Sequence, residues 1–352
     1  MQANTIDADT HLIESERTWD FMDKQFARFK PQLLVNPDPN VPETQREFWR
    51  IDGALFNKRF FDFSRSGTTE ETREARSIEA RLKHMDELGV GTQVLYPTLF
   101  LIPISSKPDV EYAIHTAYNR WVADICGRSS GRLRWAAQLP LLSMDRVVEE
   151  LRWSVEHGAC AVHMRPYDAN RPPSSPYFNA LYEEAERLNV PICLHAGNGS
   201  TLQYAEMMPY PELVFPFVKL APIGAFHSLM MSGTFGRFPK LRWGIIECSA
   251  SWIPYLFHDL PPRMNRLLGK TLDPNYHLLR DNNVFVGCQT DDDLPYVLKY
   301  AGEDTLVIGS DYGHADTSSE LEALRHLSEM KQVSASAVSR MMYDNAKALY
   351  GL

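Results

Sequence analysis

The chain has 352 residues, 44% of them hydrophobic and 23% charged, with a formal net charge of −9 and a pI near 5.7. This composition excludes a disordered chain and allows one large domain or two ordinary ones with a sizeable core. The acidic balance without a basic stripe argues against nucleic acid or an anionic membrane surface as a partner.

No charged leader precedes an apolar run at the N-terminus, so no signal peptide is expected. The longest apolar run, Val94 to Ile104, is broken by Pro97 and Pro103 and falls far short of the ~20 residues of a membrane span. Cys126, Cys160, Cys193, Cys248 and Cys288 are odd in number, widely spaced and never form C-x-x-C. That pattern suits a reducing compartment rather than a disulfide framework or a zinc ribbon, and a cytoplasmic protein is expected.

In chain order, short apolar runs alternate with longer amphipathic stretches. "NTIDAD" (4–9) is followed, after a long gap, by "VGTQVLYP" (90–97), "LRWAAQLP" (133–140) and "ACAVHMRP" (159–166). "VPICLH" (190–195), "LRWGIIE" (241–247), "NVFVGC" (283–288) and "TLVIGSD" (305–311) complete eight predicted strands. Helical periodicity fills the intervals at 76–88, 110–128, 144–157, 177–188, 213–235, 250–268, 292–300 and 320–331. Alternation of this kind, with strands apolar on both faces, predicts a parallel (β/α)8 TIM barrel as a single domain over 1–352. A doubly wound sheet would show a Gly-rich phosphate turn after an early strand, and none is present. Residues 28–75, rich in Pro, Asn and Thr, form a predicted lid-like insertion after strand 1.

Barrel chemistry sits at the carboxyl ends of strands. Those ends carry Asp9 and His11 in "IDADTHLIE", His163 and Arg165, His195 in "LHAGNGS", Glu247, and Asp311 in "GSDYGH". Asp9 and His11, two apart on a strand, project to one side. A charged or imidazole group at the end of a buried run needs a partner, a proton or a metal. Two histidines with two carboxylates suit zinc or manganese with one position left open. His195 can also be read as a core histidine bonded to a carbonyl, and Asp9 as a turn cap. His163 and His227 read as supporting groups rather than ligands. His84, His115, His157, His258, His277 and His326 read as solvated. "GRSSG" (127–131) matches G-x-S-x-G, but a helix precedes it and a strand follows, the reverse of a nucleophile elbow.

Four segments together carry a resemblance: "ARLKHMDELGVGTQVLYPT" (80–98), "LHAG" (194–197), "GTFGRFPKLRWGIIE" (233–247) and "GSDYGH" (309–314). In these the chain resembles the amidohydrolase superfamily, in the branch of aminocarboxymuconate-semialdehyde and γ-resorcylate decarboxylases. The resemblance implies one divalent metal, zinc first and manganese second, held by His11, His195 and Asp311. Asp9 takes the first position of the strand-1 pair, often His or Glu in that branch. It also implies a homodimer or larger homo-oligomer. Where those decarboxylases place a His in a Gly-rich turn after strand 6, this chain has Glu247 in "IIECSASW".

The expected reaction is metal-assisted hydrolysis of a C–N or C–O bond in a small cyclic or aromatic substrate, with Asp311 and Glu247 as acid/base groups. The alternative is metal-dependent, non-oxidative decarboxylation of an aromatic or unsaturated acid. Phe100, Trp252 and Tyr312, with Trp19 and Tyr167, are expected as aromatic walls. Arg165 is expected either to clamp a carboxylate or to form an ordinary strand-end salt bridge.

Overall fold

The structure, a computed structural model, describes residues 4–58, 62–207 and 210–352. β1 (Ile6–Leu12) is the first stave of a parallel sheet. A small antiparallel sheet follows, made of β2 (Gln32–Val35), β3 (Glu47–Ile51) and β4 (Ala54–Asn57). The remaining staves are β5 (Thr92–Pro97), β6 (Leu133–Gln138), β7 (Ala159–Met164), β8 (Ile192–His195), β9 (Trp243–Ile246), β10 (Val284–Cys288) and β11 (Leu306–Ile308). The eight parallel strands pair in the order β1-β5-β6-β7-β8-β9-β10-β11. The ring closes where the Asp311 N–H donates to the Asp9 carbonyl at 2.9 Å and the His11 N–H to the Tyr312 carbonyl at 2.7 Å. The fold is therefore the (β/α)8 barrel that the alternation predicts.

Nearly continuous apolar runs become staves because both of their faces are covered. Ile6, Ala8, Val94, Tyr96, Cys160, Cys193, Ile246 and Val307 fill the interior. The C-terminal helix Asn345–Tyr350 plugs its lower end, with the Tyr350 hydroxyl donating to the Ala8 carbonyl at 2.6 Å. A larger apolar layer lies between the staves and helices such as Ile78–Glu87, Pro108–Gly127, Met144–Glu156 and Asn179–Leu188. All five cysteines are buried and free, and no described helix is long and apolar enough to cross a membrane.

The 28–75 insertion holds the small sheet β2–β4, and Trp49 of β3 stands edge-on to Trp19 at 5.6 Å. Two expectations need correction. The continuous helix expected over 213–235 is instead a π-turn, Phe215–Lys219, followed by the helix Ala221–Ser232 and a short turn, Thr234–Arg237. His115 is not solvated: it is buried, with its Nδ1 at 2.9 Å from the Leu139 carbonyl.

The helix Pro108–Gly127 also buries Glu111, whose Oε2 accepts from the Leu142 N–H at 2.7 Å. Burial, partly offset by that bond and by Arg165, pushes this carboxyl from 4.5 up to about 8. A folded-state value above the unfolded one means the native protein holds the extra proton, so stability falls as pH rises from about 4.5 to 8. Glu111→Gln is expected to flatten that slope. Urea midpoints of both proteins across this window check it, and parallel pH profiles would refute it.

Candidate metal centre

β1 delivers the first two groups. Its pairing with β5 shifts register between Asp7 and Thr10, a bulge that re-aims side chains. Asp7 turns to Gln93 and Ser310, whereas Asp9 and His11 enter the barrel mouth. The His11 Nδ1 sits 2.9 Å from the Pro97 carbonyl, so it carries the proton and Nε2 presents a lone pair inward. That Nε2 lies 3.5 Å from Asp9 Oδ1 and 3.3 Å from Asp311 Oδ1. His195, the last residue of β8, is fixed the same way: Nδ1 is 3.0 Å from the Ala196 carbonyl and Nε2 is 3.2 Å from Asp9 Oδ1.

Asp311 follows β11 with φ 51°, and Glu247 follows β9 with φ 60°. Left-handed backbone at two non-glycine residues is strain of the kind stored at functional sites. Ser319 donates to Asp311 Oδ2 at 2.6 Å, leaving Oδ1 toward the cluster. Gly309 makes the close approach possible, since a Cβ there would stand 2.4 Å from the Asp9 Cβ.

His11 Nε2, Asp311 Oδ1 and Glu247 Oε2 are buried without a hydrogen-bond partner. Asp9, Glu247 and Asp311 also line a void of about 20 Å³, room for roughly one small ion or water. Lys219 lies 2.5 Å from Glu247 Oε1, while Asp9 and Asp311 crowd the His11 and His195 imidazoles. Burial pushes Glu247 up to about 7 against the pull of Lys219, and pushes Asp311 up with help from Asp316 and Asp9. Burial alone would lower His195, but Asp9 and Glu247 outweigh it and take the imidazole up to about 9. Orphaned donors, clustered carboxyl groups and two oriented imidazoles fit one divalent cation. Two overlapping sets meet the spacing for it: Asp9, His11, His195 and Glu247, and His11, Glu247, Asp311 and His314.

The other expected site residues fall in different places. His163 lies near the cluster, its ring 5.7 Å from His195 and its Nδ1 at 2.5 Å from Gln138 Oε1. Arg165 takes the salt-bridge alternative: Nε donates to Asp168 Oδ1 at 2.9 Å and one NH2 to the Ile102 carbonyl at 2.7 Å. Tyr312 turns away from the mouth, with its hydroxyl 2.7 Å from His84 Nδ1 and its ring under Arg81. Phe100 packs edge-on to His115 and Tyr118, and Trp252 donates its indole N–H to the Ser249 carbonyl at 2.8 Å beside Phe226. His227 lies half-buried on the outer helix Ala221–Ser232.

Three residues not singled out in the sequence stand at the site. His314 Nδ1 is 2.8 Å from Asp311 Oδ1, and its ring stacks on His11 with centroids 3.7 Å apart. Its signal was the D-x-x-H spacing inside "GSDYGH". Lys219 and Arg65 carried no local signal. Arg65 lines a cavity of about 500 Å³ between 65–67 of the insertion and the loop 314–322, with Asp311 and His314 in its wall.

A closed parallel barrel with imidazoles and carboxylates converging at its carboxyl edge defines a metal-centred barrel protein. The chain belongs to the amidohydrolase family, whose model (Amidohydro_2, Amidohydrolase) matches residues 6–352. It is 32% identical over 193 residues to a γ-resorcylate decarboxylase of Rhodococcus jostii (strain RHA1), covering 50% of this chain and 58% of that protein. In fold it is similar to an amidohydrolase of Mycobacterium avium subsp. paratuberculosis K-10, with TM-score 0.80, 23% identity and full coverage of both chains. It is also similar to a dihydroxybenzoic acid decarboxylase of Polaromonas sp. JS666, solved with manganese and 2-nitroresorcinol. That likeness has TM-score 0.67 and 18% identity, covering 99% of this chain and 97% of that one.

Proposed function

We propose that the protein is a divalent-metal-dependent, non-oxidative decarboxylase of a small hydroxylated aromatic or unsaturated carboxylic acid. Asp9, His11, His195 and Asp311 would hold zinc or manganese. When bound there, such an ion supplies Lewis acidity to a chelating carboxylate and hydroxyl.

The observation that carries the reading is the placement of Asp311 Oδ1 between His11 Nε2, at 3.3 Å, and His314 Nδ1, at 2.8 Å. One carboxylate thus borders both the donor cluster and a titratable imidazole in the wall of the large cavity. Loss of CO2 leaves an electron pair on carbon, and replacing C–C by C–H needs one proton delivered there and no oxidant. The Asp311–His314 pair is placed to hold and release that proton. The named activity of the 32%-identical relative supports the same choice.

Hydrolysis is the second reading, favoured by a carboxylate, Glu247, buried at the site and bonded to Lys219. A screen of zinc- and manganese-loaded protein against hydroxybenzoates, cyclic amides and lactones separates the two. Release of CO2 supports the first, and ring opening without mass loss overturns it.

The insertion acts as a lid in this reading, and Arg65 at the cavity wall binds the substrate carboxylate as an acid enters. Arg65→Met is expected to raise KM by roughly 10- to 100-fold, since a charged hydrogen bond contributes roughly 1.5–3 kcal/mol, with kcat little changed. Steady-state kinetics check this, and an unchanged KM removes Arg65 from the binding site.

A further inference from the structure

We propose that Lys219 is a positioning residue that keeps Glu247 out of the metal's ligand set, so that this carboxylate stays available to substrate. The inference rests on the metal centre proposed above but not on the reaction assigned to it.

By spacing alone Glu247 could ligate, since it belongs to both candidate sets and its Oε2 is unpartnered, so what sets it apart from Asp9 is its orientation and its pairing with Lys219. Its Oε2 lies 3.5 Å from His195 Nδ1, the nitrogen already committed to the Ala196 carbonyl, whereas Asp9 faces Nε2. Its Oε1 is held by the Lys219 ammonium at 2.5 Å, and the Glu247 carbonyl lies 3.4 Å from the same ammonium. Lys219 in turn is anchored on the loop after β11, by a hydrogen bond to Ser318 Oγ and by Asp316 Oδ2 at 3.7 Å. The π-turn that carries it is tied down by Asn198 Nδ2, which donates to the Phe217 carbonyl at 2.8 Å. The lysine therefore bridges three loops of the barrel mouth and has little freedom to release the carboxylate.

A cation in contact with one oxygen weakens the carboxylate's attraction for a second cation. Without the lysine, Glu247 would be a buried carboxylate left with the His195 ring, 3.5 Å away, as its remaining partner. The metal-free form then loses stability while the loaded form regains it by ligation. Both routes strengthen metal binding, whereas a merely structural lysine would weaken binding when removed.

Chelator competition on the full chain with Zn2+ and with Mn2+ tests this. Lys219→Met is expected to tighten binding at least about tenfold and to enlarge the metal-induced rise in Tm. Lys219→Arg keeps the charge and should stay near wild type. In a Glu247→Gln background, which has no carboxylate to release, Lys219→Met should lose its effect. Equal or weaker binding by Lys219→Met, or the same tightening with Gln at 247, overturns the proposal. If Lys219→Met does not fold, Lys219→Gln replaces it in every arm. None of these readouts requires a turnover assay, so failure of the decarboxylase reading leaves this test intact.

Discussion

Asp311→Asn is expected to lower turnover by roughly a thousandfold or more while making the metal-free protein more stable. The native carboxylate is fully buried, and burial, with the nearby Asp316 and Asp9, already drives it toward its protonated form. The amide keeps the shape of the side chain. Its oxygen still accepts from the Ser319 hydroxyl, which reaches Oδ2 at 2.6 Å in the native protein. Its nitrogen takes the place of Oδ1, 3.3 Å from the unpartnered Nε2 of His11, and supplies the hydrogen bond that acceptor lacks. Avoiding the cost of protonating a buried carboxyl, and satisfying a buried acceptor, are together expected to add roughly 1–3 kcal/mol to the metal-free form. The same change removes a ligand and the acid/base partner of His314, so the metal-induced rise in Tm should shrink as the metal-free Tm climbs. Thermal melts with and without Zn2+, alongside steady-state kinetics, read both effects. A variant keeping more than a tenth of native turnover would remove Asp311 from the chemistry.

The opposition between stability and activity explains what the sequence could and could not disclose. A stave buried on both faces must be apolar almost throughout, so each exception at its end stood out. Asp9, His11, His195, Glu247 and Asp311 were legible for that reason, and the structure distributes them over two overlapping clusters that share His11 and Glu247. Side-chain direction past the strand end was not legible. Tyr312 directly follows Asp311, whose left-handed backbone turns the chain, and the tyrosine ring passes outward beneath Arg81 rather than into the mouth. His314 returns to the site through Gly313, at φ 106°, a reversal that spacing alone hardly announces. Arg165 had its partner in view, since "RPYD" places Asp168 three residues on, the ion pair found in the structure. The small sheet was missed because β2 is largely exposed, so its residues lack the alternation that marks a half-buried strand. Lys219 belongs to a π-turn with no periodic signature, and only the folded chain carries it to Glu247.

Arg81→Met is expected to cost about 3–5 kcal/mol of stability, the range for removing one partner from a buried charged network. Arg81 is fully buried on the helix Ile78–Glu87, wedged against the seam where β1 meets β11. Its Nε donates to Gln93 Oε1 at 2.8 Å, and one NH2 reaches the His11 carbonyl at 3.3 Å and the Thr72 carbonyl at 3.2 Å. Its guanidinium lies 3.6 Å from the centre of the Tyr312 ring. Gln93 passes the connection to Asp7 Oδ2 at 3.3 Å, and Asp7 accepts from the Ser310 N–H at 2.8 Å and its hydroxyl at 2.6 Å. One arginine thus ties together the residues beside His11 and Asp311. Methionine keeps the stem and its packing but leaves those acceptors unpaired and removes the guanidinium's attraction for Asp7. The midpoint of thermal unfolding should drop by roughly 4–7 °C. Asp7→Asn in the same background should recover part of the loss, because the uncompensated charge is then gone, with a coupling of roughly 1–3 kcal/mol. Urea unfolding of the two single variants and the double variant measures that coupling. Strict additivity, or a loss below about 1 kcal/mol for Arg81→Met, would mean that the seam is held by the strand hydrogen bonds alone.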